Sequence, residues 1–268
     1  MPKLIDLLKA SLPAAYKIDR DLKSGGEGTV FKGTYQNKPA AIKLFKPNSD
    51  PKRRDREIEC LQQTSCPNLV KVYAVDNVEI QSIQHTLVAY EFHSGGDLTS
   101  LISSAAVVPS ETLFDLAVQI GEAVESLWSN RIVHRDIKPA NIVRKQNGEF
   151  VLVDVGLARH IDRSDITALG FAAGTRGYMS PEQALGRRSL TYKSDVFSLG
   201  LTLYEIASLE HPFKKQQHLI GSHTPTPLGN IRKDLPVPFS SLVHAMMSVR
   251  PASRPAKYVD LFNSLRSK

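Results

Sequence analysis

The stretch Ile132-Val133-His134-Arg135-Asp136-Ile137-Lys138-Pro139-Ala140-Asn141 restricts this chain more than any other. An apolar, β-branched pair closes a short strand, and the polarity then changes abruptly. An acid follows, a base stands two residues beyond it, and an amide three residues beyond that. At about 5% usage per residue type, the five fixed positions of H-R-D-x-K-x-x-N coincide about once in ten thousand chains of this length. An ordinary polar loop after a strand does not account for it. Three further landmarks accompany it: a glycine-bearing hairpin at Leu22–Phe31, Asp154-Val155-Gly156 after a strand, and Gly174-Thr175-Arg176-Gly177-Tyr178-Met179-Ser180-Pro181-Glu182.

The first string is the catalytic-loop signature of protein kinases, and the other landmarks stand in that family's order. From about Tyr16 to Leu265 the chain resembles a Hanks-type serine/threonine protein kinase. The resemblance implies roles. Phosphoryl transfer asks a protein mainly for positioning and cancellation of charge. Asp136 would accept the proton of the attacking hydroxyl, a function worth about 10²–10⁴-fold. Lys138 would place a positive charge beside the transferring group. Asn141 would offer a neutral oxygen to a metal ion, since hard Mg²⁺ prefers oxygen ligands. His134 is expected to pack inward. Arg135 beside the base goes with activation segments that respond to phosphorylation.

In the amino-terminal part, Leu4, Leu7, Leu8 and Leu12 recur at helical spacing until Pro13, which predicts a short helix in an extension over 1–15. In Lys23-Ser24-Gly25-Gly26-Glu27-Gly28-Thr29-Val30, glycines between two strand-like runs let a hairpin lie over phosphates and present N–H groups to them. Gly25, Gly28 and Val30 match G-x-G-x-x-G-x-V, while Lys23 replaces the first glycine; Gly26 and Glu27 fall within the same phosphate loop. Gln36-Asn37-Lys38 supplies a turn. Ala40-Ala41-Ile42-Lys43-Leu44 looks like V-A-I-K, so Lys43 would reach the α- and β-phosphates. By the same resemblance Val30, Ala41 and Val143 sandwich the adenine ring.

A charged helix is predicted over Pro51–Thr64. The family's helix-C glutamate falls on Glu57, with Glu59 as competitor. Leu61 must face the core, and Glu57 lies four residues earlier on that face, so a Lys43–Glu57 ion pair is expected. Tyr90 falls at the gatekeeper position, narrowing the pocket behind the adenine. Glu91 and His93 would offer backbone groups to the purine edge. Asp97 falls where ribose hydroxyls bind, and it also suits a helix N-cap.

In the carboxy-terminal part, Ser110 is the expected N-cap of a long amphipathic helix marked by Leu113, Leu116, Ala117, Ile120, Val124 and Leu127. Trp128 near its end is expected in the core. Strands at Ile142-Val143 and Phe150–Val153 flank a turn at Asn147-Gly148. They lead to Asp154-Val155-Gly156, similar to D-F-G, in which Asp154 would hold Mg²⁺ across the phosphates. Valine in place of phenylalanine predicts a loss of about 1–3 kcal/mol of apolar contact unless neighbours repack. Ala158–Ala173 reads as the activation segment, with Ser164 and Thr167 as candidate phosphorylation sites near Arg159 and Arg163. Thr175 is expected to bond Asp136 and Lys138. The string Gly174–Glu182 favours Ser and Thr hydroxyls of polypeptides as acceptors. Asp195 is expected to brace the catalytic loop, and Glu182 to pair with Arg254. Leu201, Leu203, Ile206 and Leu209 predict a buried helix, Gly221–Pro238 an extended connector, and Phe239–Met247 and Ala256–Leu265 two closing helices.

Composition enters as a filter. The 268 residues are 41% apolar, enough for one domain or two small lobes. The +7 charge lies in short clusters, such as Lys52-Arg53-Arg54, Arg187-Arg188 and Lys214-Lys215. No basic helix with interleaved aromatics points to nucleic acid. The two cysteines, Cys60 and Cys66, form no metal or disulfide pattern, as expected of a reducing compartment. No apolar run is long enough for a bilayer, and Asp6 and Lys9 interrupt the first ten residues. A cytoplasmic protein without membrane attachment is expected.

The expected fold is α+β and bilobal: a five-stranded antiparallel sheet with helix C over 16–93, and a mainly helical lobe over 94–268, with Mg²⁺ and ATP bound between them. The expected activity is transfer of the γ-phosphate to Ser or Thr of protein substrates, with autophosphorylation through transient self-association. The rivals are a pseudokinase scaffold, against which Lys43, Asp136, Asn141 and Asp154 all speak, and a small-molecule kinase, against which Gly174–Glu182 speaks.

Overall fold

In a computed structural model, described over residues 3–155, 158–160, 174–187 and 189–266, the period-2 segments near the amino terminus become strands. These are β1 (Tyr16–Ser24), β2 (Gly28–Tyr35), β3 (Lys38–Phe45), β4 (Val72–Ile80) and β5 (Ile83–Glu91). They form one antiparallel sheet in the order β1-β2-β3-β5-β4. Two of the hairpins close through pairs of left-handed residues, Gln36-Asn37 and Gln81-Ser82, whose backbone twist matches that of the strands. Only the first pair was expected, because asparagine signals such a turn and Gln-Ser does not.

The chain divides into two units. The first holds Met1–Gln62 and Val70–Ser94, the second Gln63–Leu69 and Gly95–Lys268. In the first, Phe31, Ala40, Ile42 and Leu87 are sealed from solvent. The predicted amino-terminal helix, α1 (Leu4–Ser11), adds Leu8 to that core beside Tyr16 and Ile18. Helix α2 (Pro51–Gln63) buries Glu57, Ile58, Cys60 and Leu61.

The second unit begins, after a short helix α3 (Thr99–Ser103), with α4 (Ser110–Ser129). Its six predicted core residues are all buried. Helix α6 (Tyr192–Ser208) is buried continuously from Ser194 to Ala207. It packs on α4, as does the carboxy-terminal α9 (Tyr258–Arg266). At Gly121 a Cβ would lie 2.7 Å from Val259 Cγ2, so glycine is what permits that close approach. Two-stranded pairings join β6 (Ile132–Val133) to β9 (Arg159–His160), and β7 (Ile142–Arg144) to β8 (Phe150–Leu152). A short α5 (Pro181–Ala184) is capped by the Ser180 side chain, which accepts from the Gln183 N–H.

Several expectations are corrected. Ser110 is the first helical residue of α4 and not its cap; Pro109 holds the cap position without a side-chain bond. Trp128 is half-buried rather than in the core, lying against Tyr192 and the Arg131 guanidinium. Leu209 lies past α6, as a left-handed cap at φ 63°. The stretch 221–238 is not wholly extended. It contains α7 (Leu228–Ile231) and the start of α8 (Val237–Met246), because Pro227 and Pro236 each sit where a helix begins. Among the described residues no helix is long and apolar enough to cross a membrane.

Candidate active site

Two groups of polar side chains occur where the motifs fall, one in each unit. In the first, β3 is hydrogen-bonded on both sides, to β2 and β5, which fixes the base of Lys43. Lys43 Nζ donates to Glu57 Oε1 at 3.0 Å and Oε2 at 2.8 Å. The Glu57 side chain is 3% exposed. Of the two candidate glutamates on α2, Glu57 makes this contact. Lys43 Nζ also lies 3.6 Å from Glu27 Oε2 and 4.3 Å from the centre of the Phe45 ring.

The hairpin Gly25–Gly28 closes through the Gly25 N–H on the Gly28 carbonyl, 2.9 Å. Gly28 is obligatory there: a Cβ would sit 2.3 Å from the Leu44 carbonyl oxygen on the adjacent strand. Gly26 meets nothing within 4 Å. Val30 and Ala41 lie half-buried on neighbouring strands, and Tyr90 is the cross-strand partner of Ala41. Beyond Tyr90, the Glu91 N–H is committed to the Lys71 carbonyl at 2.9 Å, so only its carbonyl side is left for a ligand. His93 Nε2 lies 3.8 Å from Glu91 Oε2.

The second group hangs on the loop after β6. Arg135 takes φ 74°, turning the chain so that Asp136 and Lys138 converge. Asp136 Oδ1 accepts from the Thr175 N–H at 2.9 Å and the Thr175 hydroxyl at 2.7 Å. Asp136 Oδ2 accepts from Lys138 Nζ at 2.7 Å and Asn141 Nδ2 at 3.0 Å. Lys138 also donates to the Thr175 hydroxyl. The string around Thr175 thus meets the catalytic-loop string, as anticipated for these residues.

Beneath the loop, Asp195 in the first turn of α6 accepts the N–H groups of His134 at 2.8 Å and Arg135 at 2.9 Å. Burial outweighs the pull of those two N–H groups and leaves the Asp195 carboxyl raised to about 7. His134 is fully buried, and that burial holds it below the usual histidine range. Its neutral ring accepts the Asp136 N–H at Nδ1, 3.2 Å. Asp97 accepts from the Thr99 N–H at 3.0 Å, but it is not the N-cap expected of it: Leu98 holds that position without a side-chain bond, one residue after Asp97, whose backbone bridges to Val143.

Whether a metal ion fits can be read from the donors. The Asn141 amide nitrogen is taken by Asp136, through both its backbone carbonyl (2.9 Å) and its carboxylate, which leaves the amide oxygen for a cation. Asp154 is exposed at φ 61° and makes no hydrogen bond or ion pair among the described residues. Two oxygen donors suit Mg²⁺, which keeps waters and takes its other ligands from phosphates rather than from an all-protein cage. Among the described residues no cluster of three or more His, Cys, Asp or Glu ligands occurs.

Val155 is completely buried. Ser164, Thr167 and Arg163 lie outside the described residues. Two contacts were not anticipated. The Tyr90 hydroxyl donates to Glu57 Oε1 at 2.7 Å. The Gln183 side-chain amide donates to the Arg135 carbonyl at 2.6 Å, passing where a side chain on residue 174 would stand. The only signal for the latter was a glycine at 174 in a string that ends beside Gln183.

Comparison with known proteins gives the chain's family. A serine/threonine-protein kinase of Mycobacterium tuberculosis, PknA, is 28% identical over 254 residues, 91% of this chain and 59% of that protein. A probable serine/threonine-protein kinase of Clostridium perfringens is 28% identical over 251 residues, 89% of this chain and 36% of that protein. Another, of Streptomyces coelicolor, is 31% identical over 211 residues, 75% of this chain and 31% of that protein. The chain therefore spans only about a third to three fifths of the length of these relatives. The family profile described as protein kinase domain matches residues 16–263. With that match covering nearly the whole sequence, the chain belongs to the protein kinase domain family.

Proposed function

We propose that this chain transfers the γ-phosphate of ATP to Ser and Thr hydroxyls of proteins, itself included, with Mg²⁺ as the metal. The family implies ATP and a divalent metal ion. The observation that carries the reading is the Asp136 carboxylate, gathered by Lys138, Asn141 and Thr175 within 3.0 Å. Asp136 orients the acceptor hydroxyl and takes its proton. Lys138, 2.7 Å from that carboxylate, would set its positive charge against the transferring phosphoryl group. Thr175 ties the segment that would seat a polypeptide to the base.

Lys43, held extended by Glu57, binds the α- and β-phosphates, and the amides of Gly25, Gly26, Glu27 and Gly28 cover them. Val30, Ala41 and Val143 enclose the adenine; Tyr90 limits the space behind it; the backbones of Glu91 and His93 read its edge; Asp97 takes the ribose. Asn141 and Asp154 hold the metal, which supplies charge neutralisation across the phosphates. In this reading the catalytic domain covers 16–268, divided at 93/94, behind an extension over 1–15. The free thiols Cys60 and Cys66 suit a cytoplasmic setting. Autophosphorylation would bring two copies together transiently.

The test is transfer from labelled ATP and Mg²⁺ to the protein and to a generic basic protein, beside Asp136→Asn. Label on Ser or Thr that drops at least about 10²-fold in the variant supports the reading. ATP binding without transfer would favour a scaffold, and label on metabolites alone a small-molecule kinase.

A further inference from the structure

The Lys43–Glu57 pair has a third member. Tyr90 sits on β5, hydrogen-bonded between β3 and β4, where its backbone pairs with Ala41 and Val72. Its side chain is nearly buried, at 7% exposure, and its hydroxyl reaches the same Glu57 Oε1 that Lys43 uses. Among the described residues of α2, Ile58, Cys60 and Leu61 are the buried apolar attachments, so its polar contacts count for more. A neutral hydroxyl bonding to a buried carboxylate is among the stronger protein hydrogen bonds. Unlike Lys43, Tyr90 has two side-chain torsions, is flanked by strands on both sides and carries no charge for a phosphate to draw away.

We propose that Tyr90 is a positioning residue: its hydroxyl anchors Glu57 to the central strand and so keeps Lys43 extended, making engagement of the pair a property of the first unit itself. This rests on the proposed function only for its consequence in catalysis; the anchoring can be tested without turnover. A tyrosine at this place therefore does more than limit space behind a nucleotide.

The experiment uses the full chain as wild type, Tyr90→Phe, Glu57→Ala and the double variant. Without nucleotide, acetic anhydride acylates the lysines, and the rate at Lys43 is followed by peptide mass spectrometry with Lys145 as internal control. Loss of the hydroxyl should raise the Lys43 rate severalfold, leave Lys145 unchanged, and have no further effect once Glu57 is alanine. The kcat/KM for ATP should fall about tenfold, the size of one charge-assisted hydrogen bond. Tyr90→Leu, which also lacks the donor, must behave alike and serves if the phenylalanine variant does not fold. An unchanged Lys43 rate, or the same increase in the Glu57→Ala background, overturns the proposal. A wild type that transfers no phosphate but shows the Tyr90-dependent Lys43 rate refutes the proposed function and leaves the anchor standing.

Discussion

Glu57 in the first unit and Asp195 in the second are similarly buried, at 3% and 1% exposure, yet they hold different things. Glu57 collects side chains: the Lys43 ammonium and the Tyr90 hydroxyl. Asp195 collects peptide groups, the N–H of His134 and the N–H of Arg135, one on each oxygen. The first arrangement aims a long flexible side chain, and each member can rotate away without breaking backbone structure. The second fixes two successive peptide planes and so sets the left-handed turn at Arg135 from which Asp136 projects. Lys43 is thus held by contacts between side chains, and the loop that carries Asp136 by contacts to its peptide groups, which part only with local unfolding. A third carboxylate, Glu182, also collects side chains, bonding the Arg254 fork at 2.6 and 2.9 Å and the Ser194 hydroxyl at 2.7 Å, but its arginine partner is sealed from solvent. Burial alone would raise the Glu182 carboxyl, but the Arg254 and Ser194 bonds outweigh it and hold it below the usual range.

The strongest way to break the contrast is at that third carboxylate. Arg254→Met leaves Glu182 charged and unpaired and strips the Ser248, Lys193 and Val249 carbonyls of their donor. Urea titration should show a loss of about 3–5 kcal/mol. A loss below about 1 kcal/mol would mean that water replaces the arginine and that rigid anchoring in this unit is overstated.

Asp195→Asn probes the peptide anchor itself. The amide keeps one accepting oxygen and turns an NH₂ toward the second N–H. The expected destabilisation is about 1–3 kcal/mol. Because Asp136 is displaced with its peptide, kcat should fall more than KM for ATP rises. Full activity at reduced stability would show that the turn at Arg135 persists without its brace.

The smallest effect concerns a titratable acceptor of the same kind. His244 Nε2 accepts the Leu228 N–H at 2.9 Å, which requires the neutral ring, and burial depresses its pKa. The unfolded chain protonates this histidine near its ordinary value of about 6.5. Its stabilising contribution is therefore present above that pH and is lost as pH falls toward the depressed folded value. His244→Gln, which keeps an acceptor, should reduce the fall in melting temperature between pH 7 and 5.5. Parallel melting curves for both proteins across that range would contradict this.

Much of the scaffold was legible because it rests on local periodicity. Strand-like runs marked β2 and β3, the stripe from Leu113 to Leu127 marked α4, and Gln36-Asn37 marked a turn, while β4 carried no signal that was read. Less legible were the features set by neighbours in space. Gln81-Ser82 adopts a left-handed pair because the strands on either side demand it. The helix within 221–238 was read as connector because Gly, Pro and Thr dominate the composition there.

What the sequence by itself determined was the order of the motifs, the identity of the groups that can carry charge and the face of each element on which they lie. These follow from spacing, and spacing of two or four residues is local geometry. What only the tertiary structure decided was which donor meets which acceptor. Tyr90 and Glu57 are 33 positions apart, Gln183 and Arg135 are 48, and Asp195 lies about 60 residues from the peptides it holds. A hydrogen bond needs its atoms placed to within a few tenths of an ångström. Over such separations that placement comes from the packed strands and helices between them, and not from the residues that make the bond.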